Sequence, residues 1–163
     1  MGAASTSKRH DLELVEPMLL AIMDTVKTAG GLEIRVGTPY LKGQGPAVTV
    51  DSMAVFGVLS RGSGAMVSVA VLFSSRDYAA LMEKIFQHPP SEDVIHDGIG
   101  EFVSLIFSRV KKLMNLDGTI IRRMIPTIVF GQSLKVSYLT AGQSVIVPLE
   151  TDAGNFFLEL TME

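Results

Sequence analysis

The chain has 163 residues, a length that suits one domain, and its 47% apolar residues against 19% charged residues supply enough material for a core. Its formal charge of -3 argues against a nucleic acid as the main partner, because phosphate binding needs a basic surface. With no cysteine, the chain has no disulfide, thiol nucleophile or thiolate metal site, and it fits a reducing compartment.

The hydropathy pattern indicates a soluble, cytoplasmic protein. The first residues, MGAASTSKRHDLE, are small and polar and lack the apolar core of a signal peptide. No apolar run reaches about 18 residues without a charge or a turn residue, so no transmembrane helix and no membrane partner are expected. We expect residues 1–10 to form a flexible N-terminus and residues 11–163 to form a single domain.

An amphipathic helix is predicted over residues 11–28, where apolar residues recur at helical spacing. Asp11 is the predicted N-cap, and the pair Gly30-Gly31 is the predicted stop. Pro17 falls within the first two turns, and it alternatively marks the point where the regular helix begins.

Strands follow this helix. The stretch LEIRVGTPYLKG is predicted to be a strand that Pro39 interrupts. Because proline cannot donate to a ladder, Pro39 belongs at a sheet edge or a bend. Residues 47–59 and 65–73 are rich in valine and alanine, and SRGSG between them predicts a hairpin turn.

Two helices and a second group of strands complete the chain. Residues 76–87 predict a short amphipathic helix that HPPS ends, and Ser91-Glu92-Asp93 predicts the cap of a long helix that NLDG closes. Four further strands are predicted in TIIRRMIPTIVFGQ, SLKVSYLTAG, QSVIVPLET and NFFLELTME.

This order of elements repeats itself within the chain. When Glu16 is aligned with Glu101, both helices end near glycine, and PYLKGQ falls on PTIVFGQ downstream. We therefore predict an α+β fold in which two pseudo-repeats, about 11–75 and 91–163, form a largely antiparallel sheet with the helices packed on one face.

The long helix, DGIGEFVSLIFSRVKKLMN, has an unusual polar face. Its apolar side chains gather on one side and fit an ordinary core. On a wheel centred on Glu101, at about 100° per residue, the other side carries short polar groups and a late lysine. These are Asp97, Ser104, Ser108 and Lys112.

Any half-buried helix must show something polar to water, so this face has an ordinary explanation. Serine is, however, a poorer helix former than alanine, glutamate or lysine, and two exposed serines gain nothing locally. Small side chains beside one carboxylate also leave room for another protein surface. We predict that Asp97, Leu105 and Ser108 contact such a partner.

At these residues the sequence resembles the CheC/CheX-type chemotaxis phosphatases. The family signature places Asp or Ser one helical turn before a Glu, an Asn one turn after it, and a proline further downstream. Asp97, Glu101, Ser104 and Pro126 match that order and spacing, with serine in place of the motif asparagine. The resemblance extends from about residue 11 to residue 163 and includes the doubled architecture.

The resemblance implies removal of the phosphoryl group from the aspartate of a CheY-like response regulator, with this helix pushed into the regulator's active site. In such proteins the Glu, here Glu101, pairs with the regulator's active-site lysine, and the residue at Ser104 orients the attacking water. The phosphatase has no cofactor or metal of its own, because the regulator supplies Mg²⁺. Such proteins dimerise, so a homodimer is also expected.

Ser104 leaves a second hypothesis open. An asparagine amide offers both a donor and an acceptor beyond Cβ, whereas serine offers one hydroxyl on a shorter arm. The alternative is a non-catalytic module of the same fold that binds a response regulator or self-associates. In the first half, Leu19 follows Glu16 at the corresponding position, so that half offers no replacement site.

Overall fold

The computed structural model describes residues 3–50, 53–61, 66–89, 91–116, 121–131, 134–135 and 143–162. The helices are α1 (Ala3–Gly30), α2 (Ser75–Phe86) and α3 (Glu92–Leu116). The strands are β1 (Arg35–Val36), β2 (Tyr40–Leu41), β3 (Thr49–Val50), β4 (Met53–Arg61), β5 (Met66–Phe73), β6 (Ile121–Phe130), β7 (Leu134–Lys135), β8 (Ser144–Glu150) and β9 (Asn155–Met162). Within these ranges, no helix combines the length and the apolar character that crossing a bilayer requires.

The main sheet is antiparallel and has a palindromic strand order. Its order is β1-β8-β9-β5-β4-β6, with β2 also paired to β8. Each strand has a counterpart in the other half: β4 corresponds to β8, β5 to β9, and the edge strand β1 to the edge strand β6. When the counterparts are exchanged, the same order is read from the opposite edge of the sheet. Helices α1, α2 and α3 cover one face through a shared apolar core. The predicted α+β fold of two repeated units is therefore confirmed.

The first helix begins earlier than predicted. It starts at Ala3 rather than at Asp11, and Pro17 lies inside it rather than at its start. Residues 3–10 contain alanine, lysine and arginine but neither glycine nor proline, so nothing in their composition stops a helix from continuing through them. The helix thus extends into the segment predicted to be a flexible N-terminus.

The other two helices begin at side-chain caps. The Ser74 hydroxyl accepts a hydrogen bond from the backbone N–H of Asp77 at 3.1 Å, at the start of α2. The Ser91 hydroxyl accepts one from the N–H of Val94 at 3.4 Å, at the start of α3. Each cap satisfies a donor that the first turn leaves open. The predicted cap at residue 91 is confirmed.

Proline lies at both edges of the sheet. Pro39 separates β1 from β2, which pair with β8 one after the other at one edge. Pro126 lies in β6, the last strand at the opposite edge, and faces Gly57 of β4. Edge strands tolerate a residue that cannot donate to the ladder, and the edge position predicted for Pro39 is confirmed.

The predicted hairpin forms, with β4 paired to β5, although its turn residues 62–65 lie outside the described residues. In the stretch SLKVSYLTAG, predicted to be a strand, the two described residues form β7, which pairs with β3 in a small second sheet. Residues 133 and 136–142 of that stretch lie outside the described residues.

An aromatic cluster fixes α3 against the sheet. Phe73 of β5 stacks on Phe156 of β9 with ring centroids 4.8 Å apart. The ring of Phe102 on α3 meets Phe73 edge-on at 6.3 Å, and Tyr78 of α2 does so at 5.3 Å. Such edge-to-face pairs add to the free energy of burial. Because Phe102 is turned into the core, its neighbour Glu101 is turned towards solvent.

The hydroxyl of Tyr78 is buried and, within the described part of the chain, has no hydrogen-bond partner. Burial also raises the pKa of Tyr78. An unpaired buried hydroxyl costs about 1–3 kcal/mol in desolvation. We therefore expect Tyr78→Phe to raise the free energy of unfolding by about 1 kcal/mol in urea denaturation. A loss of stability in this variant would show that the hydroxyl is hydrogen-bonded.

A buried ion pair lies on the sheet face opposite the helices. The Nζ atom of Lys42 is 2.7 Å from Oε1 of Glu159, whose side chain is only 1% exposed. Glu159 lies opposite Ala70 in the central β5–β9 pairing. Burial first, and the charge of Glu159 second, raise the pKa of nearby Tyr40. The segment after β2 is thus tied to the middle of the sheet.

Candidate functional site on α3

Helix α3 separates its buried and exposed side chains sharply. Ile99, Val103, Ile106 and Val110 are fully buried in the core. The opposite side of the helix is exposed and contains every site residue predicted from the sequence. These are Asp97, Glu101, Ser104, Leu105 and Ser108. We call this exposed surface the α3 stripe.

A polar contact between Arg109 of α3 and helix α1 holds α3 in place, next to the α3 stripe. Nη1 of Arg109 donates to the Thr25 hydroxyl at 2.9 Å and lies 3.1 Å from Oδ2 of Asp24. The Thr25 hydroxyl in turn donates to the carbonyl of Ala21 at 2.7 Å. Thr25 is buried, so the two hydrogen bonds of its hydroxyl are shielded from water, whereas the Arg109–Asp24 pair is partly exposed. The contact fixes the rotation of α3 about its own axis.

Sequence reasoning missed one member of the stripe, Val94. Its side chain is 38% exposed, and it lies about 20° from Glu101 on the helical wheel. The available signal was the helical register, which places Val94 and Leu105 on the same line as Glu101. Lys112 is exposed near the C-terminal end of this line.

The corresponding surface of α1 has a different composition. Glu16 is exposed, and Leu20, the counterpart of Leu105, is 49% exposed. Leu19, the counterpart of Ser104, is half-buried and packs against the core. No hydroxyl or amide can therefore replace Ser104 in the first half, so the two halves are not equivalent sites.

The stripe is built of exposed side chains rather than of a metal-binding cluster. Among the residues whose side chains the structure describes, no three histidine or carboxylate side chains come together as metal ligands. Pro126, the last element of the motif, lies in β6, a strand that α3 packs against. The site is thus one convex helical surface with a single central carboxylate, Glu101.

The architecture is that of the CheC/CheX-like chemotaxis proteins. A chemotaxis protein CheX from Vibrio vulnificus superposes with a TM-score of 0.79 at 23% identity, covering 93% of this chain and 99% of that one. A CheC-like protein from Shewanella oneidensis MR-1 gives 0.79 at 21% identity, covering 92% and 97%. The predicted CheC/CheX-type fold is therefore confirmed.

A structure containing a partner also has this fold. A chain of the CheX–CheY–BeF₃–Mg²⁺ complex from Borrelia burgdorferi superposes with a TM-score of 0.72 at 14% identity, covering 91% of this chain and 97% of that one. No protein-family model matches the sequence, and no curated protein matches it. The shared fold is therefore evident from the structure more than from sequence identity.

Proposed function

We propose that this protein docks the α3 stripe into the active site of a phosphorylated CheY-like receiver domain in the cytoplasm and promotes loss of the aspartyl phosphate. The observation that carries the proposal is the exposure of all five predicted site residues on a helix whose other face is buried. The fold shared with a CheX–CheY complex supports the choice of partner.

Glu101 is suited to a positioning role. It is exposed at the centre of the stripe, and it forms no ion pair among the described residues, so its carboxylate is available to a lysine of the partner. A charged pair that forms as the helix enters a cleft is shielded from water and becomes stronger there. Such a contact aligns the stripe with the phosphoryl group, and this alignment is the main requirement of phosphoryl transfer.

Ser104 lies one helical turn from Glu101, on the side where the attacking water is expected. Its hydroxyl can accept one hydrogen bond from a water molecule and donate another. Because the hydroxyl stands close to the helix, α3 has to approach the phosphoryl group closely or use a second, bridging water. The receiver's own Mg²⁺ would neutralise charge on the phosphoryl oxygens.

The short reach of Ser104 favours a second candidate function. In that case the protein binds the phosphorylated receiver through the same stripe but leaves its phosphate in place. The two candidates share every contact except the one between Ser104 and water. They therefore differ in turnover and not in binding.

The experiment that separates them follows phosphate loss from a phosphorylated CheY-like receiver with and without this protein. Acceleration supports the phosphatase. Binding without acceleration, together with turnover gained in Ser104→Asn, supports the module. If neither phosphate loss nor binding is observed with any receiver domain, both candidates are wrong.

One receiver should bind per chain. The α1 surface lacks a counterpart of Ser104, and Leu19 is partly taken up by the core. We expect isothermal titration with a beryllofluoride-loaded receiver to give a stoichiometry of one, unchanged in Glu16→Gln. Two equivalent sites per chain would contradict the asymmetry between the halves.

We also propose that the chain self-associates. Val36 on β1 and Val129 on β6 are 42% and 38% exposed, at the two edges of the main sheet. Exposed edge strands are sites at which a second chain can pair. Sedimentation velocity should show a dimer, and a monomer at all concentrations would exclude it.

A further inference from the structure

We propose that Val94 and Leu105 are the residues that set the affinity of the α3 stripe for its receiver domain, as two apolar contacts on either side of Glu101. This inference rests on the proposed function and deepens it. It assigns binding to the two apolar residues and leaves the chemistry to Glu101 and Ser104.

The distribution of exposed apolar side chains is the first argument. Single exposed apolar residues are common on protein surfaces and need no explanation. Among the described residues, however, five large hydrophobic side chains are exposed, and two of them lie on the α3 stripe. Val94 is 38% exposed and Leu105 is 46% exposed. Their shared line on the helix places both on the surface that carries Glu101.

The spacing of the two residues is the second argument. Eleven positions separate Val94 from Leu105, which corresponds to about 16 Å along the helix axis. Asp97 and Glu101 lie between them. When a partner covers both apolar side chains, it also removes water from the carboxylates between them. That exclusion strengthens the contact of Glu101 with a cationic group.

The shape of the stripe determines the kind of partner. An exposed helix face is convex, whereas small molecules bind in concave pockets that surround most of their surface. From Val94 to Lys112 the stripe is about 27 Å long, which approaches the diameter of a small domain. A cleft in a folded domain of receiver size can therefore cover the whole stripe.

The first half of the chain supplies the comparison. The counterpart of Leu105 on α1 is Leu20, which is 49% exposed. The counterpart of Val94 on α1 is Arg9, so that helix cannot present a second apolar contact. Leu20 is therefore a control of equal exposure that lacks the paired arrangement.

The test measures the dissociation constant for a beryllofluoride-loaded receiver. We expect Val94→Ser and Leu105→Ser each to weaken binding about 10-fold. The double variant should weaken it about 100-fold, because the two sites are far enough apart for additive effects. Val94→Ile and Leu105→Met should retain binding, and Leu20→Ser should bind as the unmodified protein does. Thermal unfolding should show that all variants remain folded.

If the unmodified protein accelerates phosphate loss, a second readout separates binding from chemistry. The serine variants should raise KM and leave kcat unchanged, since they remove contacts made equally before and during the reaction. Unchanged affinity in both serine variants, or an equal loss in Leu20→Ser, would overturn this inference while leaving the proposed function intact. Failure of the unmodified protein to bind would overturn the proposed function itself, and this inference with it.

Discussion

In the proposed phosphatase reaction, replacing Glu101 with alanine is expected to slow receiver dephosphorylation by at least about 100-fold, down to the receiver's own rate of phosphate loss. Glu101 is the central carboxylate of the α3 stripe, and without it the proposed ion pair that aligns the helix with the phosphoryl group is lost. Glu101→Gln should lose nearly as much, because an amide cannot form an ion pair. The measurement is single-turnover loss of labelled phosphate at saturating protein.

The matched control for this variant lies on α1. Glu16 is exposed like Glu101 and occupies the same place in the other half of the chain. Glu16→Ala changes net charge and helix composition in the same way, so it reports any general effect. We expect it to retain full activity. Equal losses in both variants would show that catalysis does not depend on the α3 stripe.

Replacing Lys42 with methionine is expected to lower the free energy of unfolding by about 3–5 kcal/mol. The change leaves the carboxylate of Glu159 without its counter-charge on a central strand, where it is 1% exposed and cannot reach water. Lys42 itself is 16% exposed, so the opposite change, Glu159→Leu, should cost less because the lysine can swing towards solvent. Chemical denaturation measures both.

The double variant Lys42→Met/Glu159→Leu isolates the cost of the unpaired charge. With both charges removed, apolar groups of similar volume fill the site, and stability should recover to within about 1 kcal/mol of the unmodified protein. A surface pair such as Arg35 with Asp152 provides the comparison, since breaking it should cost less than about 1 kcal/mol. If Lys42→Met also lowers the free energy of unfolding by less than about 1 kcal/mol, the buried pair is not important for stability.

Periodicity and turn chemistry predicted most of the fold. The long amphipathic helix, its Ser91 cap, the β4–β5 hairpin and the edge proline Pro39 all follow from local spacing, which the sequence displays directly. The repeat predicted that the sheets of the two halves pair into one largely antiparallel sheet with the helices on one face. The palindromic strand order is known only from the structure.

Contacts between distant parts of the chain were not predictable. Lys42 and Glu159 are 117 residues apart, and Arg109 and Thr25 are 84 residues apart. No local pattern marks such a pair, since each residue alone looks like an ordinary surface charge or hydroxyl. The start of α1 was also missed, because Asp11 has the chemistry of an N-cap although the helix continues through it to Ala3.

The exposed face of α3 was predicted in composition but not in extent. The wheel identified Asp97, Glu101, Ser104 and Ser108 because polar residues on an apolar helix stand out. Val94 does not stand out, since an apolar residue on an amphipathic helix is expected to face the core. The helical register places it about 20° from Glu101, and the degree of its exposure depends on how α3 packs against the sheet and α1.

The central claim is that the receiver meets α3 and not α1, and the absence of cysteine allows a direct test. A fluorophore can be attached through Lys111→Cys, at the border of the α3 stripe, or through Thr28→Cys on the exposed side of α1. On titration with a beryllofluoride-loaded CheY-like receiver, we predict a saturable signal change from the label on α3, little change from the label on α1, and weaker binding without beryllofluoride. An equal response from both labels, or a response from α1 alone, would contradict the account.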